Sequence, residues 1–208
     1  MYGSDAAGRG LESLALARLV GQVCHDLNNH LATLLGKTEI ALMVSDPERY
    51  RPALEQTLEA GQPARGLVAE LQRLMSWVRD GEQDVPAADA VGVAARLCER
   101  ACDKRGIRLT VRSECPGTRL RNPGRVAVLC WDLLDQLLQA QPAGNGAEPH
   151  RWTVAVRPGP REVRLRVEAG RLAPDESWSQ DSLRESGGLR PGLGCELFLE
   201  PGVVELSI

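Results

Sequence analysis

Apolar residues recur every three or four positions through about the first 80 residues, which is the spacing of amphipathic helices. The pattern predicts a first helix over residues 11–44, after a start rich in Gly and Ala that we expect to be frayed. Ser45, Asp46 and Pro47 supply a turn, and a second helix follows over residues 47–79. Because a helical hairpin cannot bury its apolar seam alone, two copies are expected to pair as a four-helix bundle.

The pattern changes at residues 80–86, a polar stretch with turn residues, and we place a domain boundary there. A helical hairpin over residues 1–82 is followed by a second domain over residues 83–208. The fold class is α+β, with helices on one face of a mostly antiparallel sheet. Residues 170–191 give weak signals and are predicted as a loop. The other elements are helices over 88–105 (ended by Gly106) and 123–141, a strand over 107–112, a hairpin of 151–157 with 162–168, and a closing pair of 195–199 with 203–208.

His25 stands in the middle of the first predicted helix. Val23 and Leu27 fall at positions d and a of a heptad repeat, so His25 falls at f and should project into solvent. Asp26 follows it and can hold one ring nitrogen, which leaves the other as a free nucleophile. Asn29 lies one turn further on the same face, where it can orient a phosphoryl group or a water molecule. The simpler interpretation is an ordinary surface histidine.

The residues around His25 carry a specific resemblance. The run His-Asp-Leu-Asn-Asn-His-Leu-Ala-Thr-Leu-Leu-Gly, continuing through Leu42, resembles the H-box of two-component sensor histidine kinases. In that family the histidine accepts the phosphoryl group, the acid beside it acts in phosphoryl transfer, and the Asn or Thr four residues later acts in dephosphorylation. The resemblance assigns these roles to His25, Asp26 and Asn29.

The order of elements after residue 88 resembles the catalytic ATP-binding domain that follows the bundle in histidine kinases. The resemblance implies a small α/β sandwich of the histidine kinase ATPase type. The N-box of that family reads Asn-x-x-x-Asn-Ala, and its second Asn holds magnesium. The aligned run here begins at Asp135 and places Gln139 at the magnesium position. Because Gln is a longer and more mobile oxygen ligand and magnesium demands tight octahedral geometry, the change predicts a weakened metal site.

The glycine-rich boxes of the nucleotide site are altered as well. The adenine-binding Asp-x-Gly-x-Gly aligns with Glu-Ala-Gly-Arg-Leu at 168–172, where Gly170 is the one glycine kept. Glu168 adds a methylene where the base should lie, and the final leucine is bulky where the backbone must approach the nucleotide. Gly192 and Gly194 resemble the last box, but strand-like residues follow at once and leave no room for its phosphate-binding helix. We therefore predict that the fold is retained and ATP binding is lost.

Composition excludes several kinds of partner. Lys and Arg total 25 against 28 Asp and Glu, a net charge of −3, so the chain has no basic footprint for nucleic acid. No stretch approaches the roughly 18 consecutive apolar residues of a membrane helix, and the N-terminus lacks the apolar core of a leader. No membrane association is expected, and if the chain is complete it carries no sensory domain of its own.

The six cysteines include no Cys-x-x-Cys pair, a pattern that fits a reducing cytoplasm. Cys98 and Cys102 share a helix face and could ligate a metal, but no His or second Cys pair accompanies them. We expect both to be buried free thiols, and we predict no metal or cofactor of the chain's own.

A kinase-like bundle joined to an ATPase-like domain without its nucleotide site resembles the dimeric histidine phosphotransferases of bacterial phosphorelays. The resemblance implies a homodimer that takes a phosphoryl group from the aspartate of one response-regulator receiver domain and passes it through His25 to another. The receiver would supply Mg²⁺ and the acidic pocket, which leaves positioning and charge neutralisation to this chain. A hybrid histidine kinase is a further candidate partner.

Two alternatives stay open. One is a divergent sensor histidine kinase core that phosphorylates His25 from ATP, and a measurable nucleotide affinity would favour it. The other is a non-catalytic pseudokinase that binds response regulators, whose activity in the cell would survive replacement of His25 by Ala or Gln.

Overall fold

The computed structural model describes residues 4–43, 46–140, 150–158, 163–169, 196–200 and 203–207. Two long helices form the N-terminal hairpin, α1 over Ser4–Met43 and α2 over Pro47–Asp80. The side chain of Asp46 caps α2 by accepting a hydrogen bond from the amide of Glu48, and Gly81 ends the helix with φ +72°. The bounds of the second helix are confirmed. The expectation of a frayed start is wrong, since α1 begins at Ser4, where the two alanines that follow favour continued helix.

The region after the hairpin is α+β, as predicted. Gly106 adopts φ +67° directly after α3, which confirms it as the residue that ends this helix. The predicted loop over residues 170–191 lies outside the described residues. The elements are β1 (Val85–Pro86), α3 (Ala87–Lys104), β2 (Ile107–Ser113), β3 (Arg119–Leu120), α4 (Pro123–Ala140), β4 (His150–Pro158), β5 (Val163–Ala169), β6 (Glu196–Glu200) and β7 (Val203–Ser207).

The main sheet has five strands in the order β2-β4-β5-β7-β6. β2 runs parallel to β4, from the pair Ile107 and His150 to the pair Ser113 and Val156, and the other neighbours are antiparallel. The predicted hairpin of β4 with β5 and the closing pair of β6 with β7 are thus confirmed. Two short strands were not predicted: β1 pairs with β3 in a separate two-stranded sheet, and two residues are too short to show an alternating pattern.

One apolar core joins the hairpin to the α/β region. Ala15, Leu19 and Val23 of α1 and Leu74 and Trp77 of α2 are buried in the same cluster as α3, α4 and the inner face of the sheet. The helix α4 is buried almost all round because it contacts α1, α2 and α3 and shares one apolar core with the sheet. The division into domains over 1–82 and 83–208 stays a prediction, and the two parts pack against each other across this core.

The contact between α4 and α2 is close enough to require a glycine. A methyl group on Gly124 would lie 2.9 Å from the backbone nitrogen of Val78 and 3.0 Å from the carbonyl carbon of Trp77. Backbone atoms of a helix cannot move aside as a flexible side chain can. Any larger residue at this position must therefore push the start of α4 away from the hairpin.

Replacing Gly124 by Ala should lower the free energy of unfolding by about 1–3 kcal/mol, because overpacking a close backbone contact displaces both helices. Urea unfolding followed by circular dichroism measures the change. Gly66→Ala is the matched control: nothing lies within 4 Å of a methyl group there, and the substitution should leave stability equal or raise it by up to about 1 kcal/mol. Equal midpoints for the two variants would contradict the packing described above.

Candidate functional site

His25 is exposed on the outside of α1, while Val23, two residues before it, is buried in the core. The predicted solvent-facing position is thus confirmed. The side-chain nitrogen Nδ2 of Asn29 lies 3.1 Å from Nε2 of His25, one helical turn away. In the tautomer that carries the ring proton on Nδ1, Nε2 accepts a hydrogen bond from this amide nitrogen. The lone pair of Nε2 is then directed at Asn29, so the amide must turn away before Nε2 can act as a nucleophile.

Asp26 does not contact His25. Its side chain is 2% exposed and points towards α3, where Oδ1 lies 3.3 Å from Nε of Arg100 and 3.6 Å from Nζ of Lys104. Gln22, one turn earlier on α1, donates to Oδ2 at 3.2 Å. The expectation that Asp26 holds a ring nitrogen of His25 is therefore wrong for this arrangement. Consecutive residues of a helix point about 100° apart, so neighbours in sequence do not face each other.

A groove of about 480 Å³ lies beside this residue, between α1, α2 and α3. Asp26 and His30 line it from α1, and Glu70 lines it from α2. Arg96 and Arg100 line it from α3, and Arg96 closes the groove by donating to both carboxylate oxygens of Glu70, at 2.6 and 3.1 Å. Charged side chains thus bridge the hairpin and the α/β region on both sides of the groove.

The face of α4 that carries the residues aligned with the N-box is engaged by α1. Arg18 contacts Asp132 at 3.1 Å and also forms an ion pair with Asp135. Gln139 is exposed and donates through Nε2 to Asp135 at 2.7 Å, while Gln136 donates to Asp132 at 2.6 Å. The acidic side chains at this place are held by protein groups. Arg18 was not predicted as a functional residue, although it lies seven residues before His25 on nearly the same helix face.

The other predicted nucleotide positions are only partly described. Glu168 lies on β5 and accepts a hydrogen bond from Nε of Arg166 at 2.7 Å. Gly170, Gly192 and Gly194 lie outside the described residues. The structure therefore brings Gln139 together with Asp135, and leaves the predicted glycine-rich boxes as sequence-based expectations.

The described cysteines are free thiols. Cys98 and Cys102 are buried, as predicted, and burial raises the pKa of Cys102 to about 12, so its thiol stays protonated. Among the described residues no group of three metal-binding side chains is found. None of the described helices is long and apolar enough to cross a membrane.

Replacing Arg18 by Gln should lower the free energy of unfolding by about 1–3 kcal/mol, because a charged donor shared by two carboxylates is removed. Urea unfolding measures the loss. Arg51→Gln is the control, since its pair with Glu55 at 3.0 Å is exposed and worth no more than about 0.5 kcal/mol. If Arg18→Gln unfolds at the same urea concentration as the control, the ion pairs of Arg18 with Asp132 and Asp135 do not stabilise the packing of α1 against α4.

No model of a protein family matches the chain, and no curated protein matches it. Solved structures do resemble it. A bacterial phosphotransferase has a TM-score of 0.51 at 15% identity, over 93% of this chain and 94% of that one. The histidine kinase domain of the blue-light activated kinase EL346 of Erythrobacter litoralis scores 0.44 at 18% identity, over 88% and 95% of the two chains. The histidine kinase AdeS of Acinetobacter baumannii scores 0.40 at 12% identity, over 88% and 96%.

At such low identity the likeness establishes the fold alone. The likeness to the bacterial phosphotransferase extends over nearly the whole of both chains, so it includes the helical hairpin as well as the α/β region. The chain therefore has the fold that the sequence predicted, a helical hairpin followed by a small α/β region with a mixed sheet.

Proposed function

We propose that this protein relays a phosphoryl group between the aspartates of response-regulator receiver domains through His25, and that it does so without binding ATP. One observation carries the proposal. The candidate nucleophile is exposed with its Nε2 held by Asn29, while the acids on the helix that should serve a nucleotide are already occupied by Arg18. The donor and acceptor of the phosphoryl group would then come from partner proteins.

The chemistry asks for an accessible, deprotonated ring nitrogen. In the forward step Nε2 attacks phosphorus, a nitrogen–phosphorus bond forms, and the bond to the receiver's aspartyl oxygen breaks to release the carboxylate. In the second step a carboxylate of another receiver attacks the phosphohistidine, and the nitrogen recovers its lone pair. Positioning and charge neutralisation carry such transfers, and the receiver brings the Mg²⁺. The exposed face around His25 leaves room for a receiver to approach.

Loss of ATP binding is supported by the environment of α4. A magnesium ion at the position of Gln139 would have to draw Asp135 away from Arg18 and turn the amide of Gln139, which now points its nitrogen at that carboxylate. Magnesium needs oxygen ligands in tight octahedral geometry, so this arrangement opposes it. The helix α4 is also buried against the hairpin and approaches the backbone of α2 closely at Gly124. This packing opposes movement of α4 away from α1.

A homodimer is the expected assembly. The half of the hairpin next to the turn between α1 and α2 carries large apolar side chains that are at least 60% exposed in the single chain: Leu35, Ile40, Leu54 and Leu58. Apolar side chains in one contiguous patch usually mark an interaction surface. A second copy supplies an identical stripe, and two hairpins bury both as a four-helix bundle. His25 stays outside such a bundle, and a reducing cytoplasm remains the expected compartment.

Purified protein should acquire label from a radiolabelled phospho-receiver and not from radiolabelled ATP with magnesium. The physical reason is that His25 is accessible to a partner, whereas the acids on α4 are engaged by Arg18. Gel autoradiography after each incubation measures the transfer, and His25→Ala should abolish it. Cys24→Ala is the matched control, because this exposed neighbour of His25 should be dispensable.

Label that arrives directly from ATP and depends on His25 would replace the proposal by the kinase alternative. Label from neither source, with receiver binding that survives His25→Ala, would replace it by the pseudokinase alternative. The two labelling lanes, together with the receiver-binding measurement, therefore separate all three functions.

The protein should sediment as a dimer, and Leu35→Glu with Leu58→Glu should convert it to a monomer, because four charges would be buried in the bundle. Analytical ultracentrifugation measures the mass. Leu14→Glu is the control, since Leu14 is exposed at the other end of the hairpin. A wild-type monomer at micromolar concentration would rule out the bundle.

A further inference from the structure

We propose that Arg100, with Lys104 beside it, is a positioning residue for phosphoryl transfer at His25: by gripping Asp26, it fixes the turn of α1 that carries the nucleophile. The inference rests on the proposed function and deepens it. It gives the α/β region a part in the reaction that is independent of ATP, because both cations lie on α3.

The first observation is the burial of Asp26 against two cations. A carboxylate that is 2% exposed is stable as an anion only when it is paired. Gln22 satisfies Oδ2, whereas Oδ1 has no hydrogen bond and is held by charge alone, 3.3 Å from Arg100 and 3.6 Å from Lys104. The pairing therefore depends on where α3 places these two side chains.

The second observation is that Arg100 contacts both the carboxylate and the main-chain carbonyl oxygen of Asp26. While Nε faces the carboxylate, Nη1 donates to the main-chain carbonyl oxygen of Asp26 at 2.9 Å. The planar guanidinium makes both contacts from two nitrogens held in a fixed geometry, which the single nitrogen of a lysine ammonium does not reproduce. One side chain of α3 thus fixes both the backbone and the side chain of the residue next to His25.

The contacts of Arg100 with Asp26 affect the orientation of His25 through the backbone of α1. The carbonyl that Arg100 binds belongs to the peptide unit between Asp26 and Leu27, in the same helical turn as His25, so the direction of the imidazole follows the backbone that Arg100 holds. The contact between Nε2 of His25 and Asn29, at 3.1 Å, requires a regular turn across the same residues. If Arg100 were lost, Asp26 would be a buried charge with only Gln22 at 3.2 Å and Lys104 at 3.6 Å as partners, and α1 would shift to hydrate it.

A matched control lies on the same helix. Arg96 stands one turn before Arg100 on α3 and pairs with Glu70 of α2, at 2.6 and 3.1 Å. Its ion pair bridges the same two parts of the molecule, but it touches α2 and has no contact with the turn that carries His25. Arg96→Gln therefore tests docking of the α/β region alone, whereas Arg100→Gln tests docking and positioning together.

The experiment is a double-mutant cycle on phosphotransfer from a phosphorylated receiver, with kcat and KM measured for the full-length protein. Asp26→Asn and Arg100→Gln should each lower kcat by about 10- to 100-fold with KM changed less than about twofold. The double variant should be no slower than the slower single variant, because both changes remove one contact. Arg100→Lys should recover part of the rate, and Arg96→Gln should stay within about twofold of wild type.

Several results would overturn the inference. A slow Asp26→Asn beside a normal Arg100→Gln means that Asp26 acts on His25 directly. A raised KM with unchanged kcat means that Arg100 contacts the receiver instead. An equal loss in Arg96→Gln means that general docking explains the effect. A wild-type protein that takes no label from any phospho-receiver defeats the proposed function itself, which is a separate outcome.

Thermal unfolding shows whether each variant is folded. Should Arg100→Gln alone unfold because it leaves a buried charge, the double variant with Asp26→Asn carries the test, since no unpaired carboxylate remains. It should then fold and still show the loss in kcat. A folded double variant with the wild-type rate contradicts the positioning role.

Discussion

The backbone approach of α4 to α2 at Gly124 is the constraint on which the remaining geometry depends. Because no side chain separates the helices there, Trp77 and Leu74 reach into the core that α4 shares with α3 and the sheet, and α4 is covered by both helices of the hairpin. A buried core cannot be opened in steps without exposing apolar surface to water. The hairpin and the α/β region therefore have one preferred relation to each other.

Ion pairs fix how α1 is aligned along the α/β region in this packed interface. They connect α1 to the α/β region at three successive heights, through Glu12 with Arg125, Arg18 with the acids of α4, and Asp26 with Arg100 and Lys104. The apolar core supplies most of the burial, and the charges, which are costly to leave unpaired, discriminate against a slipped arrangement. The pairing of Asp26 with Arg100 lies next to His25, so this end of the interface adjoins the proposed site of phosphoryl transfer.

Much of this structure could be predicted from periodicity and turn residues. The helix α2, the strand pairs and Gly106 were recovered because their patterns are local. The exposed position of His25 followed from the heptad. The direction of Asp26 was missed, since its partner Arg100 lies 74 residues away in sequence. The engagement of Asp135 by Arg18 was missed for the same reason: ion pairs between distant elements leave no local pattern.

The proposed loss of ATP binding and the fixed geometry around His25 are connected through α1. Arg18 lies seven residues before His25, so it sits about 10 Å below it on nearly the same face of the helix. One face of α1 thus presents the candidate nucleophile at one height and, two turns away, pairs through Arg18 with Asp132 and Asp135 of α4, beside the predicted magnesium position at Gln139. A helix that must release α4 to accept a nucleotide could not also hold it as a rigid support. Once the phosphoryl group comes from a partner, the rigid arrangement favours transfer, because the receiver then meets a nucleophile whose orientation is already set.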